Sequence, residues 1–123
     1  MFIVPTFVGQ SAIHGNGVFA GIDLVEGQRI WEFSPDLDAV IPFARIARAP
    51  KAFRDYMDMY AYSSARFPDG MILSCDHAKF LNHSETPNTA IAGDTTLAAR
   101  DIAKGEEITC DYRLFVANWS GEF

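Results

Sequence analysis

Two separated stretches of the chain carry the side chains that could do chemistry. The first is Lys79–Asn88, Lys-Phe-Leu-Asn-His-Ser-Glu-Thr-Pro-Asn, in which an amide, an imidazole and a hydroxyl follow a short apolar run. The second is Gly105–Tyr112, Gly-Glu-Glu-Ile-Thr-Cys-Asp-Tyr, which ends a strand-like run on a tyrosine. If the two stretches meet in the fold, they place Asn82, His83 and Tyr112 in one polar pocket.

Composition and charge limit the class of protein. A chain of 123 residues, 49% of them hydrophobic, is long enough for one domain with a substantial core. The formal net charge of −6 argues against direct nucleic-acid binding, because phosphate backbones are bound by basic surfaces. An acidic surface favours basic partners such as lysine-rich peptides, or it simply keeps the protein soluble. We therefore expect a single domain over residues 1–123.

The cysteines, histidines and apolar runs indicate neither a metal centre nor export. Cys75 and Cys110 are too few for a structural zinc cluster, and we expect both to be reduced and buried in a cytoplasmic protein. A disulfide between them is allowed but not implied. The histidines at positions 14, 77 and 83 have no recognisable metal spacing. The N-terminal residues lack the features of a signal peptide, and no run is long enough for a membrane span.

Short strands with irregular connections dominate the predicted secondary structure. Helical spacing of apolar residues occurs in Phe43–Ala49 and Lys51–Tyr62, which Pro50 separates. Pro5 suits an edge strand, and Gly93-Asp94 indicates a hairpin. Strands are predicted at Phe2–Val8, Val18–Ala20, Gln28–Phe33, Met71–Ser74, Thr89–Ala92, Thr95–Ala99 and Glu107–Asp111. Without an alternating β-α-β series, the fold is predicted to be mostly β with short helices, in the α+β class.

Each candidate segment also has a purely structural explanation. His14-Gly15-Asn16-Gly17 could be a hairpin turn, or a loop whose bare backbone approaches a ligand. Asn82-His83-Ser84 could be a satisfied polar turn, although His83 could also act as a base. Tyr112, like Tyr60, could be a packed ring, or part of an aromatic pocket whose faces hold an alkylammonium group.

The order of these segments resembles the SET domain, the fold of protein-lysine methyltransferases. The likeness runs from about Ile13 to Tyr112, and Lys79 stands where the family often has arginine. The matching segments are His14–Ala20, Tyr60–Tyr62, Lys79–Ser84 with Pro87-Asn88, Ala99–Ile102, Gly105–Thr109 and Asp111-Tyr112. Because there is no cysteine-rich zinc module, the chain is similar to the minimal stand-alone SET proteins of viruses and bacteria.

The resemblance implies both an architecture and an activity. The architecture is a β-clip-like fold of small, mostly antiparallel sheets, with a C-terminal pseudoknot in which the closing segment passes under a loop near Asn82-His83. The activity is methyl transfer from S-adenosylmethionine, leaving S-adenosylhomocysteine, to a lysine ε-amine of a basic protein or peptide, without a metal. The alternative is a catalytically silent SET-like module that binds the cofactor or a basic peptide. Because little other substrate-binding surface is present, we also expect a homodimer.

The resemblance also assigns roles to individual residues. Tyr112 is expected to supply the essential hydroxyl, with Tyr60 beside it as the second catalytic residue. The residues expected to hold the cofactor are His14, Asn16, Gly17, Asn82, His83, Tyr112 and Trp119. The substrate channel is expected to be lined by Tyr60, Tyr62 and Phe115, and the aromatic tail 113–123 is expected to close it. Trp119 could instead form part of the channel wall.

Overall fold

The computed structural model of the chain describes residues 1–114. Within this range the chain forms nine short strands, two α-helices and two 3₁₀ turns. The strands are β1 Thr6–Gln10, β2 Asn16–Ala20, β3 Arg29–Glu32, β4 Ala39–Pro42, β5 Gly70–Leu73, β6 Asn82–His83, β7 Thr89–Ala92, β8 Thr95–Ala98 and β9 Glu107–Cys110. The helices are α1 Phe43–Ala47 and α2 Lys51–Tyr60, and the 3₁₀ turns are His77–Phe80 and Tyr112–Leu114. The predicted class, mostly strands with short helices, is confirmed.

The described strands are distributed over three small sheets. A four-stranded sheet has the order β1-β2-β9-β6, a three-stranded sheet has the order β3-β8-β7, and β4 pairs with β5 alone. Every pairing is antiparallel except that of β6 with β9, which is parallel. Parallel neighbours cannot be joined by a tight turn. The β6–β9 pair therefore brings together two segments that are far apart in the chain.

One cluster of buried apolar side chains joins the two larger sheets. Its members come from β2 and β9 in the first sheet, from β3 and β8 in the second, and from the connections beside them: Val18, Ala20, Leu24, Ile30, Ala98, Ile102 and Ile108. Burial of one such side chain contributes about 1.5–3 kcal/mol. Because Ile108 is fully buried in this cluster, the middle of β9 is fixed by the core.

The turn of the β1–β2 hairpin lies before the Asn16-Gly17 pair that carries the local turn signal. Asn16 and Gly17 are not the turn, because they already belong to β2 and pair with Gln10 and Gly9. The turn precedes them, where the Ser11 N–H donates to the Gly15 carbonyl at 2.8 Å and Gly15 has a positive φ of 47°. A residue without a Cβ adopts this backbone conformation without strain.

The start of the first strand and the burial of one thiol also differ from prediction. The first strand begins at Thr6 rather than Phe2, since Phe2 forms only an isolated bridge to Trp31. The prediction that β1 is an edge strand is confirmed by its position in the four-stranded sheet. Cys110 is buried, but Cys75 is exposed where the chain leaves β5, so the expectation of two buried thiols was wrong. Neither thiol forms a disulfide within the described residues.

Both predicted helices are present, and Pro50 separates them. The second helix ends at Tyr60, two positions earlier than predicted. No helix in residues 1–114 is both long and apolar enough to cross a bilayer.

Asn88, at the end of the first chemical stretch, is tied to β9. It is 1% exposed, its Oδ1 accepts from the Thr109 backbone N–H at 2.9 Å, and its Nδ2 donates to the Glu107 carbonyl at 2.8 Å. Its own backbone N–H donates to Thr109 Oγ1 at 3.2 Å. The Asn88 side chain therefore satisfies backbone groups of β9 as a neighbouring strand would.

We expect Asn88→Ala to lower the free energy of unfolding by about 2–6 kcal/mol, because it leaves two backbone groups of β9 without their partner, at roughly 1–3 kcal/mol each. Urea unfolding followed by circular dichroism measures the change. Thr86→Ala, at an exposed position two residues away, is the matched control and should change stability by less than about 0.5 kcal/mol. Equal stabilities for the two variants would contradict this account of Asn88.

Candidate active site

A cleft of about 1150 Å³ opens on the side of the molecule where the two chemical stretches meet. Among the predicted site residues, those that line this cleft are His14, Asn16, Tyr60, Tyr62, Asn82 and Tyr112. Gly17 and His83 are not part of the lining formed by the described residues. Phe115 and Trp119 lie outside the described residues. Residues from the segments His14–Ala20, Tyr60–Tyr62, Lys79–Ser84 and Asp111-Tyr112 therefore line one cavity.

The parallel pairing of β6 with β9 brings the two stretches together. Asn82 lies opposite Thr109, and His83 lies opposite Cys110. The pairing is extended by the Ser84 N–H, which donates to the Cys110 carbonyl at 2.9 Å. Since Tyr112 follows two residues after the paired segment, its position depends on this register.

The side chain of Asn82 connects this pair to the glycine-containing loop. Asn82 is buried, and its Nδ2 lies 3.0 Å from each of three acceptors: the carbonyls of His14 and Asn16 and the Oε2 of Glu107. An amide nitrogen carries only two hydrogens, so one of them is shared. Asn82 therefore fixes the course of the loop backbone along the wall of the cleft.

Glu107 holds the other end of the same loop. Its two carboxylate oxygens accept from Ser11 Oγ at 2.8 and 2.9 Å, and Ser11 Oγ in turn accepts from the Ile13 backbone N–H at 2.9 Å. The carboxylate also occupies the space beside Gly17, where an added Cβ would lie 2.8 Å from Glu107 Cδ. Glycine is therefore favoured at position 17, because a larger residue would displace the carboxylate from its contacts.

The imidazole of His83 contacts the backbone that carries Tyr112. Its Nδ1 accepts from the Tyr112 N–H at 3.0 Å, and its Nε2 lies 3.0 Å from Glu85 Oε1. A ring nitrogen that accepts a backbone N–H has no hydrogen of its own, so the neutral ring carries its hydrogen on Nε2. This arrangement suits His83 to holding Tyr112 in place better than to removing a proton from a substrate.

Tyr112 is half-buried and held at both ends. Its hydroxyl donates to the Leu81 carbonyl, and its ring lies 5.5 Å from that of His83. Burial, with smaller effects from Cys110 and Glu107, raises the pKa of the phenol above its ordinary value. The hydroxyl therefore keeps its proton near neutral pH.

Aromatic rings form one wall of the cleft. Tyr60, at the end of α2, packs against Tyr56 at 4.8 Å and edge-on against Phe80 at 5.4 Å between ring centroids. Lys79 Nζ donates to the Tyr56 hydroxyl at 3.2 Å. The aromatic wall, Tyr60 and Phe80, is an apolar surface against which an alkylamine chain can pack, and Tyr56 contacts Tyr60 from outside the lining formed by the described residues.

Tyr62 lines another part of the same cleft. Its backbone bridges to Ile72, and its ring packs edge-on against Trp31 with 6.3 Å between centroids. Burial, with smaller effects from Asp38 and Asp94, raises the pKa of its phenol. Tyr62 therefore contributes a neutral aromatic surface to the cleft.

A protein-family model described as "SET domain" matches residues 15–113. The chain belongs to the SET domain family. The resemblance seen in the sequence is thereby confirmed, and the aligned region contains both chemical stretches.

A relative and two solved structures are similar to this SET chain. Histone-lysine N-methyltransferase ATX2 of Arabidopsis thaliana is 30% identical over 119 residues, covering 87% of this chain. The chain spans only 11% of the length of that curated relative. The histone lysine methyltransferase DIM-5 of Neurospora has a TM-score of 0.61 at 22% identity, covering 99% of this chain and 55% of that one. A chain of Polycomb Repressive Complex 2 of Chaetomium thermophilum, bound to GSK126, has a TM-score of 0.72 at 19% identity, covering 94% and 16%. The structural matches establish a shared fold.

Three residues that position the SET motifs received no individual role from the sequence analysis: Ser11, Asn88 and Glu107. Glu107 and Ser11 interact across 96 positions of the chain, so no local pattern indicates the contact. The one available signal was Gly17, because a glycine without a turn to make often marks a close approach by another group.

We expect Gly17→Ala to destabilise the protein and Glu107→Ala to reduce that effect. In wild-type protein the new methyl group displaces the Glu107 carboxylate from Ser11 and Asn82, at a cost of roughly 1–3 kcal/mol. In the Glu107→Ala background the space is already empty, so Gly17→Ala should cost at least about 1 kcal/mol less. A double-mutant cycle of urea unfolding measures the coupling, and additive effects would contradict the proposed contact.

Proposed function

We propose that the chain is a protein-lysine N-methyltransferase that uses S-adenosylmethionine. The observation that carries the proposal is the position of Tyr112. A protonated phenol lies on the wall of a cleft that it shares with the aromatic Tyr60 and with the loop held by Asn82. Membership of the SET domain family supports the same reaction, as does the histone-lysine N-methyltransferase name of the Arabidopsis relative.

The residues present fit the polar part of S-adenosylmethionine. Asn82 lines the cleft, and among residues 1–114 no group donates to its Oδ1, so this oxygen is available to an ammonium donor. The backbone of His14 and Asn16, fixed by the Asn82 amide, would border the same ligand. When bound, S-adenosylmethionine supplies an electrophilic methyl group on a sulfonium. His83 would act on this site through Tyr112, because its Nδ1 accepts the Tyr112 backbone N–H.

Tyr112 would orient the substrate amine. Because its proton is donated to the Leu81 carbonyl, the phenol oxygen has only lone pairs to offer toward the cleft. It can therefore accept an N–H of the lysine amine and direct the nitrogen lone pair along the line of attack. Holding the nucleophile in one orientation is the main means of acceleration for a displacement that needs no covalent intermediate.

The aromatic wall would favour the neutral form of the substrate lysine. A free lysine has a pKa of about 10.4, so most of it is protonated near neutral pH. Transfer of the amine from water to a surface of packed rings penalises its charged form and lowers this pKa. Tyr60 provides such a surface on one side of the cleft, and Tyr62 provides a second.

Three further features belong to this proposal. A basic segment of another protein is the expected substrate, which the net charge of −6 favours. A pseudoknot is expected around β6, and it is supported by the parallel β6–β9 pairing and by the Ser84 N–H on the Cys110 carbonyl. A homodimer and a cytoplasmic location stay predictions from the sequence.

We expect Tyr112→Phe to reduce methyl transfer at least about 100-fold, because it removes the only atom proposed to orient the amine. Transfer to lysine is measured by incubating the protein with labelled S-adenosylmethionine and a mixture of basic proteins. Cofactor binding, measured by calorimetry, should persist. Tyr56→Phe removes a hydroxyl from a ring outside the cleft lining and is the matched control. Near-normal turnover by Tyr112→Phe would refute the assignment. Cofactor binding without transfer by the wild type would indicate a silent binding module instead.

We expect the transfer rate to rise with pH until the bound lysine amine is deprotonated, with no fall caused by Tyr112 up to about pH 10. Deprotonation increases the fraction of the lysine amine that is neutral and able to attack. The pKa of Tyr112 is raised above the ordinary tyrosine value of about 10, so the phenol remains protonated throughout. Single-turnover transfer, measured from pH 7 to pH 10 on protein shown to be folded at each pH, tests this. A decline beginning near pH 9 in folded protein would contradict the protonated role of Tyr112.

A further inference from the structure

Tyr112 is held by two contacts that come from the same short segment. Its hydroxyl donates to the Leu81 carbonyl, and its backbone N–H donates to His83 Nδ1 at 3.0 Å. The first contact fixes the tip of the side chain, and the second fixes its origin on the main chain. The orientation of the phenol in the cleft therefore depends on the orientation of the His83 ring.

The His83 ring is in turn fixed by Glu85. Its Nε2, which carries the hydrogen in the neutral ring, lies 3.0 Å from Glu85 Oε1. Such a contact selects the tautomer and opposes rotation of the imidazole about the Cβ–Cγ bond of His83. Rotation by half a turn would place a carbon where Nδ1 accepts the Tyr112 N–H.

Other charged groups near the imidazole hold Glu85 and the backbone around Tyr112 in place. Arg113 Nη1 lies 3.4 Å from Glu85 Oε2, and the Arg113 guanidinium also binds the Asp111 carboxylate at 2.7–3.1 Å. Hydrogen bonds from Arg113 lower the pKa of Asp111 to about 2, so Asp111 is charged at any working pH. Asp111 Oδ1 lies 3.8 Å from His83 Nδ1, on the side where Tyr112 donates.

These contacts form a chain of interactions beside the Tyr112 backbone, from Asp111 through Arg113 and Glu85 to His83. We propose that Glu85 is a positioning residue for the transfer reaction, acting through His83 to hold Tyr112 in the orientation that receives the amine. Glu85 does not line the cleft formed by the described residues, so it acts without touching substrate or cofactor. The inference rests on the proposed function for its effect on rate, but its effect on His83 and Tyr112 stands independently.

The experiment compares Glu85→Ala and Glu85→Gln with wild type. Glutamine keeps an oxygen that accepts the Nε2 hydrogen, whereas alanine does not. Glu26→Ala removes the same charge at another exposed position and serves as the control. The readouts are the turnover number, the cofactor dissociation constant, hydrogen exchange of the Tyr112 amide, and the ¹⁵N shifts of the His83 ring.

We expect Glu85→Ala to lower kcat by about three- to tenfold, as loss of one modest hydrogen bond would. Cofactor affinity should stay within about twofold of wild type, because no contact with the cleft is removed. Exchange of the Tyr112 amide should accelerate by a similar factor while the Ile108 amide in the core strand stays unchanged. Glu85→Gln should recover most of each effect, and Glu26→Ala should show none.

Three results would overturn the proposal. One is an unchanged Tyr112 amide exchange and unchanged His83 ring shifts in Glu85→Ala. A second is equal acceleration at Tyr112 and Ile108, which would indicate a general loss of stability. The third is a loss of rate that Glu85→Gln does not recover. If wild-type protein transfers no methyl group at all, the proposed function fails, and the exchange and ¹⁵N readouts alone still decide whether Glu85 holds His83 and Tyr112.

Discussion

A parallel contact only two residues long determines the geometry of the candidate site. Asn82 and His83 pair with Thr109 and Cys110, and through this contact the side chains of three distant segments reach one cleft. Two residues of strand have little intrinsic stability. The contact persists because β9 is also held by other contacts. Ile108 is buried in the core, and the Asn88 side chain binds the backbone of the same strand.

Strand β9 couples the stability of the fold to the arrangement of the site. Successive residues of a strand point to opposite faces, so a buried Ile108 leaves Glu107 and Thr109 for the other face. Glu107 binds the loop through Ser11 and Asn82, and Thr109 binds Asn88. A change in the core that moves β9 therefore moves the loop and Tyr112 together. The site cannot be adjusted independently of the packing beneath it.

The sequence predicted the class of fold, both helices and most strands, because these have local signals such as apolar spacing and proline. It could not predict β6 as a strand, because two residues have no periodicity. It left His14–Gly17 as either a hairpin turn or a loop, because Asn16-Gly17 carries a strong local turn signal, but pairing with β1 and the approach of Glu107 assign Asn16 and Gly17 to β2. The motif order suggested which residues share a site, whereas the hydrogen bonds that hold them there join positions too far apart to be inferred.

The protonation states of the site agree with the kind of reaction proposed for it. Methyl transfer to an amine requires neither a metal-bound water nor a covalent nucleophile, so the chain has no need of a strongly acidic or basic group at the reacting atoms. Burial raises the pKa of Tyr62 and of Tyr112, and the His83 ring is held in a neutral tautomer by the Tyr112 N–H. The carboxylates of Glu85, Glu107 and Asp111 instead bind serine, imidazole, amide and guanidinium groups that position the cleft wall. Charge is thus used to fix geometry around the cleft, while the phenol proposed to face the amine stays neutral. A neutral, oriented acceptor can hold the N–H of an amine so that its lone pair points in one direction.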